Sequence, residues 1–111
     1  MSIVELLKEA IKTRKSISFE YRKESNVREV RYGNVYAVYY LADELSEILV
    51  DIVQTAGESD SKNEMPFPSF RSFSLDRISD VTIFFTKSSY LSTHPKYNPL
   101  SDRYKNAIAK V

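Results

Sequence analysis

From residue 16 onward the apolar side chains fall at every second position, and this period of two constrains the fold more than any other feature. Ile17, Phe19 and Tyr21 alternate with Ser16, Ser18 and Glu20. Tyr36, Val38 and Tyr40 alternate further on, followed by Ile48, Val50 and Ile52, and then by Phe73 and Leu75. A strand turns successive side chains to opposite faces, so each run reads as a half-buried β-strand. The spacing predicts strands at 16–22, 27–41, 48–55, 70–75 and 81–85. Gly33-Asn34 interrupts the second and longest run, where glycine marks a bulge or a sharp bend. Eight tyrosines and six phenylalanines against only two glycines agree with regular strands.

The first residues follow a different period. Ile3, Leu6, Leu7, Ala10 and Ile11 repeat at helical spacing. Ser2 and Glu5 form a capping-box pattern before them, and Lys12, Arg14 and Lys15 suit the negative end of the dipole. A helix is predicted over residues 3–14. Residues 23–26 read as a hairpin connection, 43–47 as a turn, and Asp76-Arg77 as another turn. Residues 57–69 are polar and turn-rich, an exposed loop inside the domain. The tail, 86–111, carries Pro95 and Pro99. Its residues 101–110 read as a short helix with Ser101 at the N-cap. The predicted architecture is mostly β (α+β): an N-terminal helix, a five-stranded small barrel and a short C-terminal helix. Closing into a barrel would remove the open sheet edges.

At 111 residues the chain has room for one domain, 1–111. With no cysteine and one histidine, His94, it has neither a disulfide framework nor a thiolate or multi-histidine metal site. No glycine-rich phosphate loop or catalytic constellation is present, so neither a cofactor nor an enzyme is expected. No apolar run approaches a membrane span, and the N-terminal stretch is an amphipathic helix rather than a signal peptide. A cytoplasmic protein is the expectation. The net charge of +1 balances 16 basic against 15 acidic residues, so any anion site must be local.

Two basic stretches are candidates. In Arg71-Ser72-Phe73-Ser74-Leu75-Asp76-Arg77-Ile78 the strand period puts Arg71 on the core side with Phe73 and Leu75. Arg77 lies at the following turn. An arginine so placed needs a carboxylate, carbonyls or a bound anion. In Arg28-Glu29-Val30-Arg31-Tyr32, Arg28, Val30 and Tyr32 share one face, while Glu29 and Arg31 share the other. Arginine convergence with Arg71 or Arg77 competes there with a solvated strand face carrying cross-strand pairs. Tyr32, Tyr36, Tyr39 and Tyr40 offer either packing or surfaces on which bases stack.

The octapeptide 71–78 resembles the Arg-x-Phe-x-Leu-Asp-Arg-Ile signature of WYL domains, which are bacterial and phage regulatory modules. Ile17-Ser18-Phe19-Glu20-Tyr21 after the leucine-bearing helix, and Arg28-Glu29-Val30-Arg31-Tyr32-Gly33, are similar to other parts of that family. Arg31 stands where the family has proline, and Ile48-Leu49-Val50 where it has Trp-Tyr-Leu. Residues 57–69 are an insertion. The resemblance implies an Sm-like or SH3-like barrel that senses an anionic ligand, a nucleotide or single-stranded nucleic acid. The implied contacts are Arg71, Arg77 and Arg28, with Arg31 and Tyr32 secondary. The competing expectation is a protein-interaction or homo-oligomerisation module, with residues 65–70 as its adhesive segment.

Overall fold

The computed structural model describes residues 2–23, 28–41, 44–57, 68–84 and 94–111, with only the backbone at 44–46. Helix α1 (Ile3–Thr13) starts where the Ser2 side chain accepts from the Glu5 amide at 3.2 Å. It stops at Arg14, whose φ of 53° is left-handed and whose backbone N–H reaches the carbonyls of Ala10 and Ile11. The strands are β1 (Ile17–Arg22), β2 (Arg28–Leu41), β3 (Glu44–Gly57), β4 (Ser69–Ser74), β5 (Ile78–Ile83) and β6 (Ala107–Lys110). A 3-10 turn, Leu75–Arg77, joins β4 to β5, and another, Asp102–Tyr104, precedes β6.

The protein is mostly β, as expected, with six strands in one antiparallel sheet rather than five. The order is β4-β3-β2-β1-β5, with β6 also on β2, and no ladder joins β4 to β5 among the described residues. β2 is the organising strand. One of its edges pairs with β3 along nearly its whole length. The other pairs first with β1, through residues 28–33, and then with β6 at Ala37, Val38 and Tyr39. The change of neighbour follows the expected irregularity: the β2–β3 register shifts between Tyr32 and Gly33 and again between Val35 and Ala37. At Gly33 a Cβ would lie 2.6 Å from the Val53 carbonyl oxygen and 2.7 Å from Ile52 Cγ2, so the two backbones approach as only glycine allows.

The main core lies between α1 and one face of the sheet. Leu7, Ala10 and Ile11 pack with Ile17, Phe19, Val35, Val38, Val50, Ile52, Phe73 and Ile78. Burying each large apolar side chain contributes about 1.5–3 kcal/mol. A second cluster of Ala37, Tyr39 and Tyr104, with Leu49, Tyr97 and Ala107 packed against it, covers the other face of β2 and β3. The centre of the sheet is therefore buried on both sides rather than half-buried.

The predicted C-terminal helix over 101–110 is corrected. Ser101 does cap, accepting from the Arg103 amide at 3.4 Å, but only one 3-10 turn follows before residues 107–110 extend as β6. The edge of β2 that β1 leaves behind supplies ladder partners, and tertiary pairing overrides the helical preference of Ala-Ile-Ala-Lys. The predicted turn at 43–47 shrinks because β3 already begins at Glu44, and β5 begins at Ile78 rather than Val81. Residues 24–27, most of the 57–69 loop and 85–93 lie outside the described residues. No described helix is long and apolar enough to cross a membrane.

Candidate anion site and a buried carboxylate

Two of the five sequence candidates come together at the turn end of the β1–β2 hairpin. Arg28 pairs directly with Arg22 across the ladder, and Arg77 Nη1 donates to the Arg22 carbonyl at 3.5 Å. Arg22 and Arg28 are exposed and Arg77 is half-buried. Among the described residues, none of the three guanidiniums is in an ion pair. Like charges directly opposite on an antiparallel pair repel, and an anion bridging them would relieve that cost. Arg22 was missed in the sequence because it is the last residue of its strand, where a basic residue looks solvated.

Tyr32 lies on the same face. Ladder partners share a face, so Arg22 and Arg28, Glu20 and Val30, and Ser18 and Tyr32 form successive rows. Val30 and Tyr32 are 44% and 40% exposed, unusual for side chains of their type at mid-sheet. The Tyr32 ring stacks on Phe84, with centroids 6.4 Å apart and planes 19° from parallel. A hydrogen bond with Asp80 is the main cause that raises the Glu20 carboxyl above its ordinary value, with Arg28 opposing.

Arg31 and Arg71 occupy the opposite, inner face. Arg31 is 1% exposed. Its guanidinium carbon sits 5.1 Å from the Tyr21 ring centroid and 5.4 Å from that of Phe73, and Nη1 donates to Gln54 Oε1 at 3.4 Å. Gln54 pairs across the ladder with Ser69, whose Oγ accepts from Arg71 Nε at 2.9 Å. Arg71 is half-buried on the inner face of the edge strand, as the alternation required. The structure thus separates Arg71 and Arg31 from Arg77 and Arg28.

A second polar site had no counterpart among the sequence candidates. Asp51, in the middle of β3, is fully buried. Its Oδ1 accepts from Tyr39 Oη at 2.9 Å and from Ser72 Oγ at 2.6 Å. Its Oδ2 accepts from Tyr104 Oη at 2.6 Å, and Arg103 Nη1 lies 3.5 Å away. A buried carboxylate is tolerated when donors surround it in this way. Burial first, and then the Asp51 charge, push the Tyr39 hydroxyl up to about 12. Burial and the hydrogen bond to Asp51 raise Tyr104 further. Tyr36, Phe70, His94 and Tyr97 pack beside the network, with Tyr36 and Tyr97 edge-to-face at 4.9 Å and Phe70 5.9 Å from His94. The sequence signal was one charge inside Ile-Leu-Val-Asp-Ile-Val: a strand buried on both faces has no solvent side for it.

Tyr36 and Tyr39 are thereby packing residues, and His94 accepts from the Lys96 amide at Nδ1. No group of three metal-ligating side chains occurs among the described residues. The chain matches no protein-family model, and no curated protein matches it.

Proposed function

We propose that this chain is a non-enzymatic regulatory domain of the kind its octapeptide resembles, a WYL-like module built as an Sm-like or SH3-like barrel. It binds an anionic ligand, a nucleotide or single-stranded nucleic acid. The strand order β4-β3-β2-β1-β5, with one 3-10 turn between β4 and β5, supports the barrel form. The observation that carries the ligand reading is the convergence of Arg22, Arg28 and Arg77 without an ion pair among the described residues. Exposed Tyr32, on the same face, offers a ring on which a base stacks, worth about 1–3 kcal/mol per base. Arg31 props the inner face beneath the site, and Arg71 belongs to that inner row rather than to the contact surface.

The test is binding of labelled single-stranded DNA and RNA, and of nucleotides, as a function of salt. Each phosphate contact adds about −0.7 to the slope of log affinity against log salt. The double variant Arg28→Ala/Arg77→Ala should weaken binding roughly tenfold or more and flatten that slope. Absence of binding at low salt would overturn the proposal. A second reading, a protein-interaction surface, is favoured by the exposed Val30 and Tyr32, an apolar centre rimmed by charge. Loss of self-association in Val30→Ser/Tyr32→Ser, measured by light scattering with anion binding unchanged, would select it. Of the adhesive segment 65–70, only Pro68, Ser69 and Phe70 are described, and Phe70 is engaged with Tyr36 and Tyr97.

A further inference from the structure

We propose that the face of β2–β4 around Asp51 is a docking groove for a segment carrying an Arg-Tyr pair on a 3-10 turn followed by a short strand. Residues 103–110 of the same chain fill it in cis, and the same segment of a second copy can fill it in trans. This inference is independent of the anion site.

The groove is made entirely by other elements. Tyr39 and Ser72 present Asp51 with two hydrogen-bond donors from the sheet. Two further donors, Tyr104 and Arg103, come from the C-terminal segment. Beside this anchor, the β2 edge that β1 has left accepts β6 as a short antiparallel strand. The Tyr40 amide donates to the Asn106 carbonyl at 3.2 Å, and the Val111 amide to the Tyr36 carbonyl at 2.8 Å. Arg-Tyr in the carboxylate pocket followed by the short strand Ala107–Lys110 on a sheet edge is a recognition pattern of the strand-addition type: main-chain bonds hold the segment and a side-chain pocket sets its identity.

The β6 ladder spans three register pairs and is broken by a shift between Val38 and Tyr39. So short and irregular a ladder opens more readily than the long central ones. Opening leaves a buried carboxylate with half of its donors and an unpaired strand edge, both costly to leave unmet. The segment that meets both is known from the cis arrangement, and a second copy carries it in identical form.

A fluorescein-labelled peptide of residues 94–111, added to the full chain and followed by anisotropy, tests this. Saturable binding is expected. A chain carrying Tyr104→Phe, whose own segment is held less tightly, should bind the wild-type peptide about tenfold more tightly than the wild-type chain does. A peptide carrying Tyr104→Phe should bind about tenfold less tightly than the wild-type peptide. If the Tyr104→Phe chain does not fold, Arg103→Gln, at a half-exposed side chain, replaces it in the same comparison. Equal binding by wild-type and weakened chains, or no peptide binding by either, would overturn the proposal.

Discussion

The Tyr104 hydroxyl donates to Asp51 Oδ2 at 2.6 Å, fastening the C-terminal segment to the middle of the sheet. Tyr39 meets the other carboxylate oxygen at 2.9 Å, so the buried charge lies between two phenols. Their rings pack edge-to-face, with centroids 5.1 Å apart.

Asp51→Ala should therefore be among the most destabilising single changes in the chain. It strands the Tyr39 and Tyr104 hydroxyls and leaves Arg103 without its carboxylate. Loss of one partner from a buried charged network costs about 3–5 kcal/mol. Tyr104→Phe keeps the ring and removes one hydrogen bond to a charged group, about 1.5–3 kcal/mol. Urea titrations of the two variants should rank them in that order.

Alkaline pH should act on the same network. Tyr39 ionises near 12 in the folded chain against an ordinary value of 10.0. A folded-state value above the unfolded one means that the unfolded chain gives up its proton first. The contribution is fully present below about pH 10 and is lost as pH rises toward about 12. Tyr104 shifts in the same direction. Absorbance titration at the phenolate band should show late-ionising tyrosines, and the loss of stability in that window should shrink in Tyr39→Phe.

Arg31→Ala should cost stability and spare anion binding. The guanidinium is enclosed by Tyr21, Phe73 and Gln54, and a desolvated cation–ring contact contributes about 2 kcal/mol. A thermal melt should fall while the salt-dependent affinity stays at the wild-type value. Reduced affinity in a fully folded Arg31→Ala chain would reassign Arg31 to the ligand.

Gly33→Ala introduces a methyl group against the Val53 carbonyl and Ile52 Cγ2, and the backbones must part to admit it. Overpacking of this kind costs about 1–3 kcal/mol. Denaturant midpoints of Gly33→Ala and wild type would measure it.

Much of the scaffold was legible in the residues. Ser2, Glu5 and the 3–4 spacing of Ile3, Leu6, Leu7, Ala10 and Ile11 specify α1, because capping and amphipathic burial are local. Alternation around Phe19, Val50 and Phe73 placed those side chains on the inner face, and the glycine at 33 marked the irregularity in β2. The face shared by Arg28 and Tyr32 also followed from alternation. Residues 107–110 were misjudged because a four-residue stretch has no period of its own; the free edge of β2 chose its conformation.

The sequence by itself determined the mostly β class, the leading helix and which side chains share each strand face, since these follow from chain geometry and nearest-neighbour spacing. Tertiary structure alone decided that Arg77 meets the Arg22 carbonyl beside Arg28, while Arg71 and Arg31 lie on the inner face. It also decided that Asp51, an isolated charge in the sequence, becomes the anchor of Tyr39, Ser72, Arg103 and Tyr104. Tyr104 lies 53 positions from Asp51 in the chain. Their meeting depends on strand order and register, which no local pattern encodes.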